Sequence, residues 1–291
     1  MEILGSGMGS NDGPRAPSDG LATAEVGAWA ETKYALLAMY AGMFATATKN
    51  RWPNRVHIDL FSGPGRALIR GTSRVVDTSP LLALGVVDRF THCVFCERDP
   101  DWLDALEKRV RTGWPDAAAR FIAGDTNASV EAILSCMPTH GHGAGVISLC
   151  FADPWKLKNL KFTTVETLSG RRVDFLVLIP TDMDANRNWK QYLKTTNATV
   201  DDFLGTKTWR NRWGERQPKS QGFGAFLAEE FCARMRALGY EFGGIDHNVH
   251  VRSGGNLPLY RLGFFSRHPL GEKLWRSALK YGIPQQDLFR E

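Results

Sequence analysis

Short apolar runs alternate along this chain with segments whose apolar residues recur every three or four positions. The runs are Val56–Phe61, His92–Cys96, Arg120–Ala123, Val146–Ala152 and Phe175–Ile179. Each is too short for a core helix and reads as a buried strand. Between them lie helical patterns. Residues 27–47 carry Leu36, Leu37, Tyr40, Met43 and Phe44 at helical spacing. Thr78-Ser79-Pro80 offers a hydroxyl cap and an early proline, and Leu81–Val87 continue that helix. Asp99 caps the next helix with Pro100 at its first position, and Trp102, Leu103, Leu106 and Val110 form its apolar stripe. A further helix follows Asn127 and carries Val130, Ile133 and Leu134. Strand–helix alternation with near-continuous apolar strands predicts an α/β fold, its parallel sheet covered on both faces.

The pattern changes toward the end. A helix over 223–239 (Phe223, Phe226, Leu227, Phe231, Met235 and Leu238) leads to a strand at Val249–Arg252. Ser253-Gly254-Gly255-Asn256 then turns the chain, and Leu259–Phe265 alternates as a returning strand. Five parallel strands and this hairpin predict a seven-stranded, mostly parallel sheet with one antiparallel strand.

Composition narrows the class. The 291 residues are 43% apolar, ample for one large core. Residues 1–22, rich in Gly, Ser, Pro and Asp, are predicted to be a disordered tail or an expression remnant, leaving 23–291 as one domain. Thirty-six Lys and Arg against thirty-one Asp and Glu give a net charge of +5, a mild pull toward anionic partners. Five cysteines make no disulfide framework. With no membrane-length apolar run and no signal pattern, a cytoplasmic protein without membrane contact is expected.

Ligands of open α/β sheets bind beyond the carboxyl ends of the strands. Here those ends read Asp59-x-Phe61-x-Gly63-Pro64-Gly65, Glu97-Arg98-Asp99, Gly124-Asp125-Thr126-Asn127, Asp153-Pro154-Trp155 and Thr181-Asp182. Every one carries an acid. An acid after the second strand can accept from both ribose hydroxyls, and one after the third from an adenine amino group. About a dozen residues, Arg66–Asp77, separate Gly65 from the next helix start. A pyrophosphate cradle needs the glycine turn to run straight into a helix N-terminus, so the spacing favours S-adenosylmethionine over a dinucleotide. Gly-Pro-Gly can equally be a plain turn, Glu97 a helix-start acid and Asp125 a cap. Three such residues in order, each at a strand end, favour the nucleoside site.

Asp153-Pro154-Trp155 is the candidate catalytic turn. Proline pushes the residue before it into extended backbone, giving a rigid projection. A carboxylate to hold an amino group and an aromatic wall beside it suit amine methylation. The competing reading is an ordinary strand-to-helix turn with a core tryptophan.

These residues together resemble the three-Cys-motif partner proteins, across roughly residues 27–281. The resemblance rests on Asp59-Leu60-Phe61-Ser62-Gly63-Pro64-Gly65, Thr78-Ser79-Pro80, Cys96-Glu97-Arg98-Asp99, Gly124-Asp125-Thr126-Asn127 and Asp153-Pro154. Trp29-x-x-x-Lys33 and Leu259-Tyr260-Arg261-Leu262 add to it. It implies a Rossmann-like class I methyltransferase fold, S-adenosylmethionine as cofactor, and a partner protein with a three-cysteine motif resembling radical-SAM enzymes. Carried onto this chain, Asp59, Gly63 and Gly65 would wrap the methionine part, Glu97 would hold the ribose and Asp125 the adenine. Phe61, Arg98 and Thr126 join them as cofactor-binding candidates. Lys33 joins the candidate substrate residues. Thr78 and Trp155 depart from the family's usual Gly and Phe. Asp-Leu-Phe-Ser-Gly is also similar to cytosine-C5 methyltransferases, but those need a Pro-Cys nucleophile, and this chain has no such dipeptide. Asp153-Pro154-Trp155 is closer to the motif of amino-group methyltransferases, less one proline.

Residues 186–222 hold eight Lys and Arg against three acids, interleaved with Trp189, Tyr192, Trp209 and Trp213. Basic groups neutralise phosphates and aromatic faces stack unpaired bases, making Trp189, Lys190, Trp209, Arg210 and Arg212 candidate nucleic-acid contacts. A solvated helical lid with tryptophans packed on the sheet is the even alternative. No metal site is expected. His92-Cys93-x-x-Cys96 lies in a strand, where positions three apart face opposite sides, and neither His140-Gly-His142 nor His247-x-x-His250 has an evident third ligand. The reading is a methyltransferase acting on an amino or similar group. An NAD-type oxidoreductase and a non-catalytic partner-binding module are the alternatives.

Overall fold

The computed structural model describes residues 19–139, 145–216, 222–243, 249–252 and 258–282. Most of the 1–22 tail, His140 and His142, Lys219, His247 and the 253–256 turn lie outside them.

The strands of the main sheet are β2 (Asn54–Asp59), β5 (His92–Glu97), β6 (Ala119–Ala123), β7 (Val146–Ala152), β8 (Val173–Ile179), β9 (Phe242–Gly243), β10 (Val249–Arg252) and β11 (Pro258–Ser266). Their order is β10-β11-β8-β7-β2-β5-β6, with the two-residue β9 pairing off this path onto β11. β2, β5, β6, β7 and β8 run parallel, and β11 is antiparallel to β8. β10 is antiparallel to β11, so it points along the parallel set. This is the predicted Rossmann-like arrangement, with β9 as an eighth, minor strand. From β2 the chain steps outward through β5 to β6, then returns through β7 to β8 on the other side. The topological switch therefore falls at the carboxyl ends of β2 and its neighbours.

Alternation along the strands sorts side chains to two cores. Leu149, Phe151, Leu176, Leu178, Cys93 and Phe95 face one side. There they meet α1 (Ala30–Thr48), α2 (Ser79–Leu84), α3 (Pro100–Gly113) and α10 (Pro269–Gly282). Cys150, Ala152, Phe175, Val177, Val94 and Cys96 face the other. They meet α4 (Val130–Ser135), α5 (Phe162–Ser169), α7 (Thr199–Leu204), α8 (Trp209–Glu215) and α9 (Phe223–Ala237), while α6 (Asn186–Tyr192) adds Tyr192. Cys93 and Cys96 thus stand on opposite faces, as the strand period requires.

Two local readings change. The second helix stops at Leu84 instead of Val87, and Val87 is 97% exposed. Arg66–Asp77 folds as a hairpin, β3 (Arg66–Ile69) against β4 (Val75–Asp77), with β1 (Ala24–Val26) parallel to β3. Arg66 and Asp77 are register partners, so the hairpin returns the chain to its start. Thr78 N–H donates to the Gly65 carbonyl at 2.8 Å. The helix that is delayed in sequence is therefore not delayed in space.

Aromatic side chains of the basic insert join the core. Trp209 is fully buried, with its indole N–H on Asp201 at 2.7 Å, and Trp213 packs on Phe223 and Phe226. Trp209→Ala is expected to cost about 3–5 kcal/mol by urea denaturation, the usual cost of emptying a large aromatic site. Lys190→Ala, on the exposed face of α6, is expected to stay within about 0.5 kcal/mol.

Candidate functional site

The site grows from β2. Asp59 ends the strand fully buried, and its carboxylate accepts from the Phe61 N–H at 3.2 Å and from Ser79. Its other oxygen, Oδ2, has no partner among the described residues. Burial pushes the Asp59 carboxyl up to about 7. The chain then turns through Gly63 and Gly65, both at positive φ (61° and 86°), a conformation that costs glycine little. Gly63 N–H donates to Glu97 Oε2 at 2.8 Å, and Glu97 Oε1 accepts from the Asp99 N–H at 2.9 Å. Glu97 is fixed between the glycine turn and the start of α3, which Asp99 and Pro100 cap as predicted.

Next along the edge, Asp125 accepts from the N–H groups of Asn127 (2.9 Å) and Ala128 (3.3 Å), and Thr126 donates to the Leu60 carbonyl. At the end of β7, Asp153 pairs with Lys33, which projects from α1 and is buried. Pro154 is buried and Trp155 is 64% exposed.

These elements enclose a cavity of about 310 Å³. Its wall includes Phe61, Gly63, Glu97, Arg98, Asp125, Thr126, Asp153, Pro154, Trp155 and Lys33. Eleven residues predicted for cofactor or catalysis are Asp153, Pro154, Trp155, Asp59, Phe61, Gly63, Gly65, Glu97, Arg98, Asp125 and Thr126; the fold gathers nine of them on this wall. Asp59 and Gly65 stand behind it. Asp59 holds the turn from beneath. A Cβ on Gly65 would come 2.9 Å from Leu106 and 3.2 Å from Leu81, so this glycine serves helix packing.

The insert residues stand elsewhere. Trp189 is half-buried against the core, with Lys190 exposed over its ring at 5.9 Å. Arg210 is bound to Asp201 beneath it, and Arg212 lies 2.9 Å from Glu230. None of Trp189, Lys190, Trp209, Arg210 or Arg212 lines the cavity. Burial takes Trp209 out of any stacking role. The local charge count missed this because Glu229 and Glu230, which pair with Arg216 and Arg212, come from α9 outside the insert.

Other wall residues carried no predicted role. Trp29, Tyr34 and Tyr260 surround the Lys33 ammonium, with ring centroids 5.7, 4.9 and 5.9 Å away. A lysine on an otherwise apolar helix was the available signal. Ala24, Glu25 and Val26 close one side of the cavity, although their chain begins in the segment predicted to be tail. Arg109 anchors that strap. It donates to Asp19 at 2.7 and 2.8 Å, to the Ala22 carbonyl at 2.8 Å, and to the Pro64 carbonyl of the glycine turn.

No protein-family model matches the sequence, and no match to a curated protein is found. Among solved structures, protein LPL1258 from Legionella pneumophila is similar over 86% of this chain and 91% of its own, at 12% identity and a TM-score of 0.50. Trm1 from Pyrococcus horikoshii, solved with S-adenosyl-L-methionine, is similar over 85% of this chain and 58% of its own, at 11% identity and a TM-score of 0.43. The likeness is one of fold. Sheet order and strand direction define this chain as a Rossmann-like α/β protein. Among its described residues no helix is long and apolar enough to cross a membrane, and no cluster of metal-ligating side chains occurs.

Asp59 gives a pH test. Its folded pKa lies above the ordinary carboxyl value of 3.8, so the native state holds its proton longer than the unfolded chain. Its contribution is full below about pH 4 and is lost as pH rises toward 7. Asp59→Asn removes this dependence. Its stability relative to wild type is expected to rise between pH 4 and 7, measured by urea unfolding across that window. Parallel pH profiles would show that Asp59 titrates normally.

Proposed function

We propose that this chain is an S-adenosylmethionine-dependent methyltransferase acting on an amine. The supporting observation is the sign of charge at the cavity. Glu25, Glu97, Asp125 and Asp153 line it against Lys33 and Arg98, and Asp59 lies beneath. Lys33 is already engaged by Asp153. Such a field favours a sulfonium and an ammonium and opposes a pyrophosphate. This replaces the argument from helix spacing, which the hairpin removes.

The residues fit the cofactor in kind. Glu97, held by two backbone donors, would keep free lone pairs for ribose hydroxyls. Asp125 and Thr126, on the same wall, would face the adenine edge. Thr78, whose buried hydroxyl has no partner among the described residues, lines the cavity with Gly63 and would face the methionine part. When bound, the cofactor supplies an activated methyl group. The protein's work is then positioning. Asp153 accepts from the incoming amino group, and Pro154 keeps that carboxylate on a stiff backbone. Trp155 gives the acceptor a flat wall, and the buried end excludes water. The sequence resemblance further nominates a three-cysteine-motif protein as partner.

Calorimetric titration is expected to show binding of S-adenosylhomocysteine and none of NADH. Glu97→Ala is expected to weaken the former about 10- to 100-fold, as for loss of hydrogen bonds to a charged group. NADH binding in its place, or an unchanged affinity in Glu97→Ala, would overturn the reading.

A further inference from the structure

The catalytic end of the cavity is charge-balanced before any acceptor arrives. The Lys33 ammonium pairs with Asp153 and sits among the rings of Tyr34, Trp29 and Tyr260. Its side chain is 5% exposed. The aromatic faces that could hold a methylated or cationic amine are therefore used by the protein's own cation. Burial pulls the Lys33 pKa down, but Asp153, with Tyr34 and Asp59, more than offsets it, so Lys33 stays charged. A protonated lysine or arginine acceptor would meet this ammonium at short range, where like charges repel strongly in a desolvated site. A neutral amine meets no such barrier.

Tyr260 adds a directional group. It comes from β11, is 3% exposed, and lines the cavity wall. Its ring packs edge-on to Trp29 at 5.0 Å. Its hydroxyl is buried and has no hydrogen-bond partner among the described residues. A buried hydroxyl left unpaired is destabilising, and a ligand acceptor placed against it recovers that loss. Burial first, and the Asp153 charge second, raise its pKa, so the phenol remains a donor across the physiological range. Trp155, at the rim of the same wall, presents an exposed flat face.

A carboxylate acceptor, a hydroxyl donor and a stacking face together describe one chemistry. An exocyclic amino group gives its N–H to Asp153, the adjacent ring nitrogen accepts from the Tyr260 hydroxyl, and the ring stacks on Trp155. We propose that the methyl acceptor is the neutral exocyclic amine of a nucleobase, of the adenine or cytosine type, with the Tyr260 hydroxyl as the group that reads it. This rests on the methyltransferase reading above. In the transfer, the amine lone pair forms the new N–C bond. The C–S bond breaks with its electron pair kept by sulfur, leaving a thioether. The nitrogen, now carrying the positive charge, releases its N–H proton to water.

The test titrates wild type and Tyr260→Phe, each saturated with S-adenosylhomocysteine, with adenosine, cytidine, single-stranded oligo(A) and oligo(C), and a lysine-rich peptide. Methyl transfer from S-adenosylmethionine to each is followed by mass spectrometry. At least one nucleobase ligand is expected to bind and accept a methyl group, and the peptide neither. Tyr260→Phe is expected to weaken that ligand about 10-fold while leaving S-adenosylhomocysteine affinity unchanged and the melting temperature equal or higher. Equal affinity for nucleoside and oligonucleotide assigns the site to a small molecule. Affinity confined to the oligonucleotide and falling steeply with salt assigns it to nucleic acid. Either supports the proposal. Methyl transfer to the peptide alone, failure of every nucleobase ligand on a protein that binds S-adenosylhomocysteine, or unchanged nucleobase affinity in Tyr260→Phe overturns it and leaves the methyltransferase reading standing. Failure of S-adenosylhomocysteine to bind wild type removes both.

Discussion

The contact between Lys33 and Asp153 ties the molecule's architecture to its chemistry. It joins the first long helix to the end of the fourth parallel strand, across 120 residues of chain. Lys33 is withdrawn from bulk water and so needs Asp153; a buried charge without its partner is far more costly than the pair. The pair fixes α1 over the strand ends and aims Asp153 along the cavity wall. It also sets the charge at that end of the cavity. The rings of Trp29, Tyr34 and Tyr260 gather around the same ammonium, so α1, the segment before it and β11 all converge there.

A second constraint operates at the glycine turn. Glu97 accepts from Gly63 and Asp99, while the Ser62 N–H donates to the Cys96 carbonyl at 3.0 Å. The ends of β2 and β5 are thereby locked in register at the switch point. Arg109 carries this order outward by binding the Pro64 carbonyl and Asp19 together, so the wall formed by 24–26 is anchored to the turn it covers. Burial and bidentate geometry give this arginine a weight that surface pairs such as Lys108–Asp104 lack.

The parallel strands were legible because both faces of the sheet are covered, leaving near-continuous apolar runs such as Val146–Ala152. Asp99-Pro100 marked α3 because its cap is local: the accepting side chain and the donating N–H groups lie within three residues. The hairpin at 66–77 was not legible, being short, polar at its tip and supported by β1 from another part of the chain. The insert misled for a related reason. A tryptophan beside arginines has the same local sequence whether it stacks a base or fills a core. The rings of Phe223 and Phe226 decide that Trp209 and Trp213 turn inward.

The amino-acid sequence by itself determined the order of strands and helices, the acids at the strand ends and the glycine turn. Each depends on periodicity or on contacts between near neighbours. Tertiary structure decided which of those acids face the cavity and which, like Asp59, lie under it. It brought Thr78 back to Gly65 across the hairpin and placed Lys33 and Tyr260 on the cavity wall, with Arg109 anchoring the strap that closes it. Those placements are contacts between residues tens to more than a hundred positions apart. No local pattern encodes them, and burial in the shared cores fixes them.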